Sequence, residues 1–567
     1  MSNNKKLIIA GPGAGKTRNL VQSIMDDIEN GVNPFMINAI SFTRTAANEI
    51  MKRTDYVVNA STIHKVAGRI ISLASSMKGE PPPMVLGPEK AKETMKMAIL
   101  DTGKIHLDIK DVWQQISLIR ELGVNPKTVR PEVLEVWKQY RNRMVSSGCI
   151  DLTGLLERAA REIQIEGVAS YFSGNTVYLD EGQDTNPHLD WNVVGQLIKL
   201  SGKSVIYLSP SQVIYDFRGS DYSKLSDMLP QDIETVYMLE NYRSTPEIVE
   251  AGIFMAESDA KGMKAVRKSL NIPVVVKSYN NPNDEADGVA LTTGRLIKEG
   301  VNPAEIAILG RTWTGLFPIM EHLRMYGIPY NAAKNGIDLY DRPEILGLLE
   351  YITLANNPKT DTGLEILINF PFSGIGNRSK YIMRGLGRLT WDHIIESLTN
   401  NMVRPQVKER SSQLLDIREY LMEVPEMNIP VDQQLNKVLE ISGIQKYLYE
   451  QLDYESLAAI ETVTKMASEF ATLREFEVYL KEQTIKRNIV KGGVTIKTLH
   501  ASKGEEYDSV ILPGWSEGNL PLTGASTNSE QRLGFVGVTR AKNRLVISYN
   551  KSAPPSRFLA GFPAVYV

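Results

Sequence analysis

A glycine-rich octapeptide near the start of the chain, AGPGAGKT at residues 10–17, constrains the fold more than any other feature. A short apolar run at 6–10 precedes it, and a segment with helical periodicity at 17–29 follows it. A strand, a glycine-rich turn and a helix in this order form the loop that wraps a nucleotide's phosphates. We therefore expect a parallel sheet flanked by helices, with this loop at the end of a strand.

The rest of the chain continues the α/β pattern in two blocks. Strands are predicted at 36–42, 176–179 and 203–208, and again at 274–279, 306–309, 494–498, 509–512 and 544–548. The stretches 81–166 and 360–491 show helical periodicity and no convincing strand. The pattern predicts two α/β cores, each interrupted by a mostly helical insertion.

Composition limits the class of protein. The 567 residues include 64 Lys and Arg against 66 Asp and Glu, which excludes a uniformly basic nucleic-acid coat but not a local basic channel. Cys149 is the only cysteine, so no internal disulfide or cysteine zinc cluster is expected. No apolar run reaches the roughly 18 residues of a membrane span, and the N-terminus lacks the pattern of a signal peptide. We expect a soluble protein in a reducing compartment.

The residue types in the octapeptide suit the binding of a triphosphate and its metal ion. Glycines let the backbone turn its N–H groups inward around a triphosphate. Lys16 would reach the β- and γ-phosphates, and Thr17 would coordinate Mg²⁺. A glycine turn without a ligand is the alternative, and the strand–loop–helix context disfavours it. The residues assigned to the loop are Gly11, Pro12, Gly13, Ala14, Gly15, Lys16 and Thr17.

A burst of acidic residues follows the strand predicted at 176–179, in the sequence TVYLDEGQD. Carboxylates at the carboxyl end of a parallel strand lie where open α/β sheets bind ligands. Asp180 is expected to hold Mg²⁺ through water, and Glu181 to orient and deprotonate the water that attacks the nucleotide. A solvated loop is the alternative, and the phosphate loop elsewhere in the chain argues against it.

This acidic motif resembles that of the UvrD/Rep-type superfamily 1 helicases, and further motifs of the family recur in order. They are ISFTRTAA at 40–47, STIH at 61–64, QVIYDFRG at 212–219, LENYRST at 239–245, TLHASKGEE at 498–506 and RLGFVGVTRA at 532–541. The resemblance implies two RecA-like parallel-sheet P-loop domains, each interrupted by a mostly helical insertion. The first domain would span 1–80 and 167–245 with its insertion at 81–166, and the second 246–360 and 491–567 with its insertion at 361–490.

The resemblance also implies nucleotide contacts. Arg243 and Arg540 match the family's two arginines at the γ-phosphate. The glutamines that couple nucleotide state to the DNA site are matched by Gln183 and Gln212. The residues matching adenine and ribose contacts are Arg18, Tyr242 and Glu506. The expected catalytic set is Lys16, Glu181, Gln212, Arg243 and Arg540.

For DNA, the resemblance implies bases stacked on aromatic side chains along a groove, an arrangement that accepts any sequence. The residues assigned to DNA are Phe42, Thr62, His64, Tyr215, Phe217, Arg218 and His500. Burial in an apolar core is the alternative for the aromatic residues, and a hydrogen-bonded structural role for the histidines.

The chain departs from the family pattern upstream of the glycine-rich loop, at residues 209–211, and at Glu505, which stands where a leucine is usual. No glutamine precedes Gln22, so the family's adenine-reading glutamine is missing and the choice of base stays open. Residues 209–211 are Ser-Pro-Ser where the family usually has Gly-Asp, so an acid expected near the nucleotide is absent.

The sequence thus predicts a helicase that hydrolyses ATP with Mg²⁺ and moves 3′→5′ on single-stranded DNA. It would open duplex at single/double-strand junctions, in the cytoplasm of a bacterial or phage-infected cell. The direction comes from the resemblance alone. The alternatives are a translocase that strips proteins from DNA, an inactive helicase-like DNA-binding subunit, a P-loop phosphotransferase, and an RNA substrate.

Overall fold

The computed structural model describes residues 4–214, 222–230, 233–257, 259–332, 339–371, 375, 377–450, 454–485 and 492–567. The chain forms two compact units. The first comprises Met1–Val274, Pro521–Arg544 and Ala560–Ala564, and the second Val275–Leu520, Leu545–Leu559 and Val565–Val567. Across these described ranges, every helix is too short or too polar to cross a bilayer.

Strands and helices alternate along both units. The strands are β1 (Lys5–Ala10), β2 (Ile37–Ser41), β3 (Ser61–Thr62), β4 (Met84–Val85), β5 (Cys149–Ile150), β6 (Thr176–Leu179), β7 (Lys203–Leu208), β8 (Glu234–Met238), β9 (Glu240–Asn241), β10 (Lys264–Ala265), β11 (Val275–Tyr279), β12 (Ile306–Gly310), β13 (Tyr330–Ala332), β14 (Val494–Thr498), β15 (Tyr507–Leu512), β16 (Ala541–Asn550) and β17 (Val565–Tyr566). The helices are α1 (Lys16–Glu29), α2 (Arg44–Arg53), α3 (Ile63–Lys78), α4 (Pro88–Asp101), α5 (Ile109–Leu122), α6 (Pro131–Ser146), α7 (Leu152–Glu162), α8 (Glu166–Phe172), α9 (Asp190–Leu200), α10 (Tyr222–Met228), α11 (Pro246–Met255), α12 (Pro282–Lys298), α13 (Trp313–Met325), α14 (Pro343–Asn356), α15 (Leu364–Leu367), α16 (Asn377–Arg384), α17 (Trp391–Ser397), α18 (Pro405–Leu421), α19 (Val431–Ser442), α20 (Ile444–Glu450), α21 (Tyr454–Ala467), α22 (Leu473–Ile485) and α23 (Thr527–Val538).

The first unit is built on a parallel sheet with the strand order β3–β2–β6–β7–β1–β8. Successive residues of β1 point to opposite faces of this sheet. Leu7 and Ile9 pack into one core with α3, α7 and α9, whereas Ile8 packs into a second core with α1 and α2. Helices therefore cover both faces, which is why the inner strands β1, β6 and β7 carry uninterrupted apolar runs.

The parallel arrangement places the chemically interesting segments at one edge of the sheet. The glycine-rich octapeptide follows β1, and Asp180 follows β6. Ser209 follows β7, and Phe42 follows β2. Since neighbouring parallel strands end at the same side, these four segments lie along the carboxyl edge of the sheet.

The second unit contains a sheet with the strand order β13–β14–β12–β15–β16–β11–β17. In this sheet, Ile308 of β12 pairs with Ile496 of β14, and both side chains are buried. These residues share one apolar core with helices α12–α14 and with the helices that follow, up to α22. Helices α4, α5 and α6 of the first unit have a core of their own.

The predicted α/β fold with two mainly parallel sheets and helical insertions is confirmed. The expectation of no strand in 81–166 is wrong, because Met84–Val85 and Cys149–Ile150 pair in parallel. As each strand is two residues long, no alternation of apolar and polar residues can reveal it. The first helix of this stretch, α4, begins at Pro88, a residue suited to the first helical position.

Candidate functional site

The glycine-rich octapeptide forms a tight turn between a strand and a helix. β1 ends at Ala10 and α1 begins at Lys16. Gly13 and Gly15 have φ angles of 73° and 79°, in the left-handed region where a side chain is strained. A Cβ on Gly13 would also lie 2.8 Å from the Cβ of Arg243. Glycine is therefore required at position 13 both for the turn and for the close approach of the segment that carries Arg243.

A second segment, residues 238–242, holds the loop in shape. The Asn241 side chain donates from Nδ2 to the Pro12 carbonyl at 2.8 Å. The Tyr242 backbone N–H donates to the Gly13 carbonyl at 3.0 Å. Asn241 is buried, and sequence reasoning did not assign it a role. Its only signal was its place beside Tyr242 in the motif LENYRST.

Four residues close a ring at the carboxyl edge of the sheet, here called the lysine ring: Lys16, Glu181, Gln183 and Ser209. Lys16 Nζ donates to Ser209 Oγ at 2.9 Å and lies 3.8 Å from Glu181 Oε1. Gln183 Nε2 donates to the Glu181 carboxylate, and Gln183 Oε1 accepts from the Ser209 backbone N–H at 3.0 Å. The lysine of the loop is thus joined to the ends of β6 and β7.

Asp180 has the environment of a carboxylate that a cation would stabilise. It is buried at the end of β6. Burial raises its pKa, the Glu181 carboxylate raises it further, and the Lys16 ammonium opposes both effects. Carboxylate and hydroxyl oxygens are ligands that Mg²⁺ prefers, so Asp180 and Thr17 fit the predicted ion. The described ranges contain no cluster of three or more His, Cys, Asp or Glu side chains suited to a metal, and Mg²⁺ at Asp180 and Thr17 stays a prediction.

The two arginine motifs meet within the first unit. Arg243 Nη1 donates to the Thr539 carbonyl at 3.1 Å. Arg540 is only 2% exposed, and its guanidinium donates to the Val536 carbonyl at 2.9 Å and to Thr539 Oγ1 at 3.1 Å. Two segments almost 300 residues apart in the chain are therefore joined at Thr539, which contacts both arginines.

The side chains assigned to adenine lie near one another at the surface. Tyr242 is 56% exposed and its hydroxyl donates to Glu240. The hydrogen bond to Glu240 raises the pKa of the Tyr242 hydroxyl, and the nearby Arg18 charge acts in the opposite direction. An exposed ring beside a guanidinium suits a stacked base, and this geometry is consistent with the assignment of Arg18 and Tyr242 to adenine. The assignment itself stays a prediction.

Two family models cover almost the whole chain. The UvrD/REP helicase N-terminal domain matches residues 1–231, and the UvrD-like helicase C-terminal domain matches residues 236–552. The chain belongs to the UvrD-like helicase family. The resemblance found in the sequence motifs is therefore confirmed.

Curated relatives of this UvrD-like helicase match it from end to end. DNA helicase II of Escherichia coli is 26% identical over 98% of this chain and 85% of its own length. The ATP-dependent DNA helicase PcrA of Bacillus subtilis is 25% identical over 98% and 83%. A probable DNA helicase II homolog of Rickettsia conorii is 27% identical over 98% and 93%.

The turn after β7 carries Gln212, which is buried on a 3₁₀ turn, Pro210–Gln212. The sequence lacks the family's acid here, but Asp259 supplies a carboxylate from elsewhere in the chain. It accepts from the Ser211 backbone N–H at 3.1 Å and from the Ser211 hydroxyl. Arg532 Nε donates to the Val213 carbonyl at 2.8 Å and fixes the other side of the turn. The residues predicted for DNA just beyond, Tyr215, Phe217 and Arg218, lie outside the described residues.

Two other strand ends carry predicted DNA residues of this helicase. Phe42 directly follows β2 and is half-buried. Thr62 caps α3 by accepting from the Lys65 backbone N–H at 3.4 Å, and His64 on the first turn of α3 is exposed. Because Ser41 pairs with Thr62 across the sheet, Phe42 and Thr62 lie at the same edge. Their contact with DNA stays a prediction.

The remaining predicted residues belong to the second unit. His500 begins a 3₁₀ turn, His500–Ser502, after β14, and it is half-buried. Glu506 is exposed and directly precedes β15. Both therefore lie at the ends of strands in their own sheet, and their roles toward DNA and ribose stay predictions.

Proposed function

We propose that this chain is an ATP-dependent DNA helicase that moves 3′→5′ on single-stranded DNA and unwinds duplex at single/double-strand junctions. The lysine ring carries the proposal, because it joins the phosphate loop to the acidic motif and to the turn bearing Gln212. The names of the curated relatives, DNA helicase II and ATP-dependent DNA helicase PcrA, support the same activity. These relatives come from bacteria, which favours the cytoplasm as the place of action.

The predicted site residues of the first unit have distinct parts in the proposed reaction. Lys16 would bind the β- and γ-phosphates, and Glu181 would accept a proton from the attacking water. Arg243 and Arg540 would grip the γ-phosphate, since a guanidinium can bind phosphate through two parallel hydrogen bonds. Thr17 and, through water, Asp180 would hold Mg²⁺, which neutralises charge on the phosphates when it is bound.

We also propose the division into motor domains and insertions given by the motifs. The first motor domain is 1–80 and 167–245 with an insertion at 81–166, and the second is 246–360 and 491–567 with an insertion at 361–490. The separate apolar core of helices α4–α6 supports the first insertion as a module of its own.

A strand-displacement assay tests the proposal. Duplexes of about 20 base pairs carry a single-stranded tail on either the 3′ or the 5′ end, and ATP with Mg²⁺ starts the reaction. We expect unwinding only of the 3′-tailed duplex, and none by Glu181→Gln, which should still bind ATP because only the proton acceptor is lost.

A second set of substrates carries the same single-stranded tails, with a bound protein in place of the duplex. Comparing the two sets distinguishes a helicase from a translocase that only strips proteins from DNA. Displacement of the protein without any strand separation would reduce the proposal to a translocase. Activity on the 5′-tailed duplex alone would contradict the proposed direction.

A further inference from the structure

The hydroxyl of Ser209 is in a position to control the lysine of the phosphate loop. Ser209 is 1% exposed and stands at the end of β7, 193 residues from Lys16 in the chain. Its Oγ accepts a hydrogen bond from Lys16 Nζ at 2.9 Å. Ser209 belongs to the lysine ring, but the proposed reaction gives its hydroxyl no part.

The hydrogen-bond pattern fixes which way the Ser209 hydroxyl points. Its single hydrogen is donated to the Ala10 carbonyl at the end of β1. The lone pairs of the oxygen are therefore left for the Lys16 ammonium. Its backbone N–H donates to Gln183 Oε1, which fixes the backbone that carries the hydroxyl, and turning the side chain away would break the hydrogen bond to Ala10.

The position of Lys16 between a neutral and a charged acceptor matters for nucleotide binding. Its ammonium lies 2.9 Å from the Ser209 hydroxyl but 3.8 Å from the Glu181 carboxylate. Without the hydroxyl, the attraction of opposite charges would draw Lys16 the remaining distance to Glu181. A direct Lys16–Glu181 ion pair would then have to be broken before the ammonium could meet a phosphate.

We infer that Ser209 is a positioning residue, which holds Lys16 off Glu181 and keeps its ammonium available to the phosphates of ATP. The inference rests on the proposed function, because it takes ATP as the ligand of the loop. A neutral hydroxyl suits this task because it orients the ammonium without neutralising its charge, as a carboxylate at this position would.

The test measures ATP affinity and turnover separately. The full-length wild type is compared with Ser209→Ala and with Ser209→Cys, which replaces the hydroxyl by a weakly hydrogen-bonding thiol of similar shape. Equilibrium binding of a fluorescent ATP analogue gives Kd, and DNA-stimulated hydrolysis over a range of ATP concentrations gives KM and kcat.

We expect Kd and KM to rise about five- to tenfold in both variants, while kcat stays within about twofold of the wild type. A variant that is merely less well folded would show a lower kcat at an unchanged KM, because only the active fraction falls. Ser209→Thr keeps a hydroxyl and should restore ATP affinity.

Ser211→Ala is the matched control. Its hydroxyl lies on the same turn but donates to Asp259 instead of accepting from Lys16, so ATP affinity should match the wild type. Equal loss of affinity in Ser211→Ala, or wild-type Kd in folded Ser209→Ala, would overturn the inference.

The two readouts separate this inference from the proposed function. Weaker ATP binding by Ser209→Ala with no DNA-stimulated hydrolysis in the wild type would support the positioning role and contradict the helicase. Strong DNA-stimulated hydrolysis in the wild type, with unchanged ATP affinity in the variants, would support the helicase and contradict the positioning role. A wild type that binds no ATP would overturn both.

Discussion

Among single residues, Asp190 shows how burial alone can make a carboxylate costly. It is the first residue of α9 and is 8% exposed. Burial raises its pKa to about 6, although the Asn186 backbone N–H, which donates to it at 3.0 Å, favours the charged form. In the unfolded chain the group would ionise near its ordinary value of about 3.9.

We predict that Asp190→Asn stabilises the protein at neutral pH. Between about pH 4 and pH 6 the folded state binds the proton more tightly than the unfolded state, so stability falls as pH rises through this window. The amide keeps an acceptor for Asn186 and carries no charge, so the variant should gain about 1–3 kcal/mol at pH 7.5. Thermal unfolding at pH 5 and pH 7.5 measures this, and the gain should be smaller at pH 5. An equal or lower melting temperature at pH 7.5 would refute it.

Sequence reasoning reached the residues of the loop and the acidic motif, because strand, turn and helix are encoded locally around them. It did not reach Ser209 or Asn241 as partners of the loop. Ser209 meets Lys16 across 193 residues, and Asn241 meets Pro12 across 229 residues. Such contacts depend on which strands become neighbours, and no local pattern contains that information.

At the scale of elements, a buried ionic network joins three helices of the first unit. Arg120 of α5 binds Asp151 through two hydrogen bonds of 2.7 and 2.9 Å. Asp151 also caps α7 by accepting from the Gly154 backbone N–H at 2.6 Å, and it accepts from the Tyr140 hydroxyl of α6 at 2.7 Å. The paired Arg120 guanidinium holds the pKa of Asp151 below its usual range despite burial.

We predict that Arg120→Ala lowers the free energy of unfolding by about 3–5 kcal/mol, because it leaves the Asp151 carboxylate buried and without its counter-charge. Arg130→Ala is the matched control, since Arg130 pairs with Asp111 and both side chains are 46% exposed. That variant should lose less than about 1 kcal/mol. Urea unfolding followed by circular dichroism makes the comparison, and equal losses in the two variants would contradict the role given to the network.

The elements that sequence reasoning found and missed differ in burial. The strands predicted in the first unit, β1, β2, β6 and β7, are almost entirely buried, and most of their residues are apolar. β8 was missed, because it lies at the edge of the sheet and four of its five residues are exposed. An edge strand of mixed polarity pairs through its backbone, which leaves no hydrophobic pattern to read.

For the whole molecule, we propose that the two α/β units act together as one ATP-driven motor on DNA. The first unit holds the phosphate loop, the acidic motif and both arginine motifs. The second unit holds His500 and Glu506, which were predicted to meet DNA and nucleotide. We expect a motor of this design to hydrolyse ATP in response to DNA, because Gln183 and Gln212 are predicted to couple the nucleotide state to the DNA site.

Steady-state ATP hydrolysis with and without single-stranded DNA tests this claim most directly, in the wild type and in Lys16→Ala. We predict strong stimulation by DNA in the wild type, and a loss of about a hundredfold or more in the variant, which removes the charge facing the phosphates. Hydrolysis that ignores DNA, or that survives unchanged in Lys16→Ala, would contradict the account.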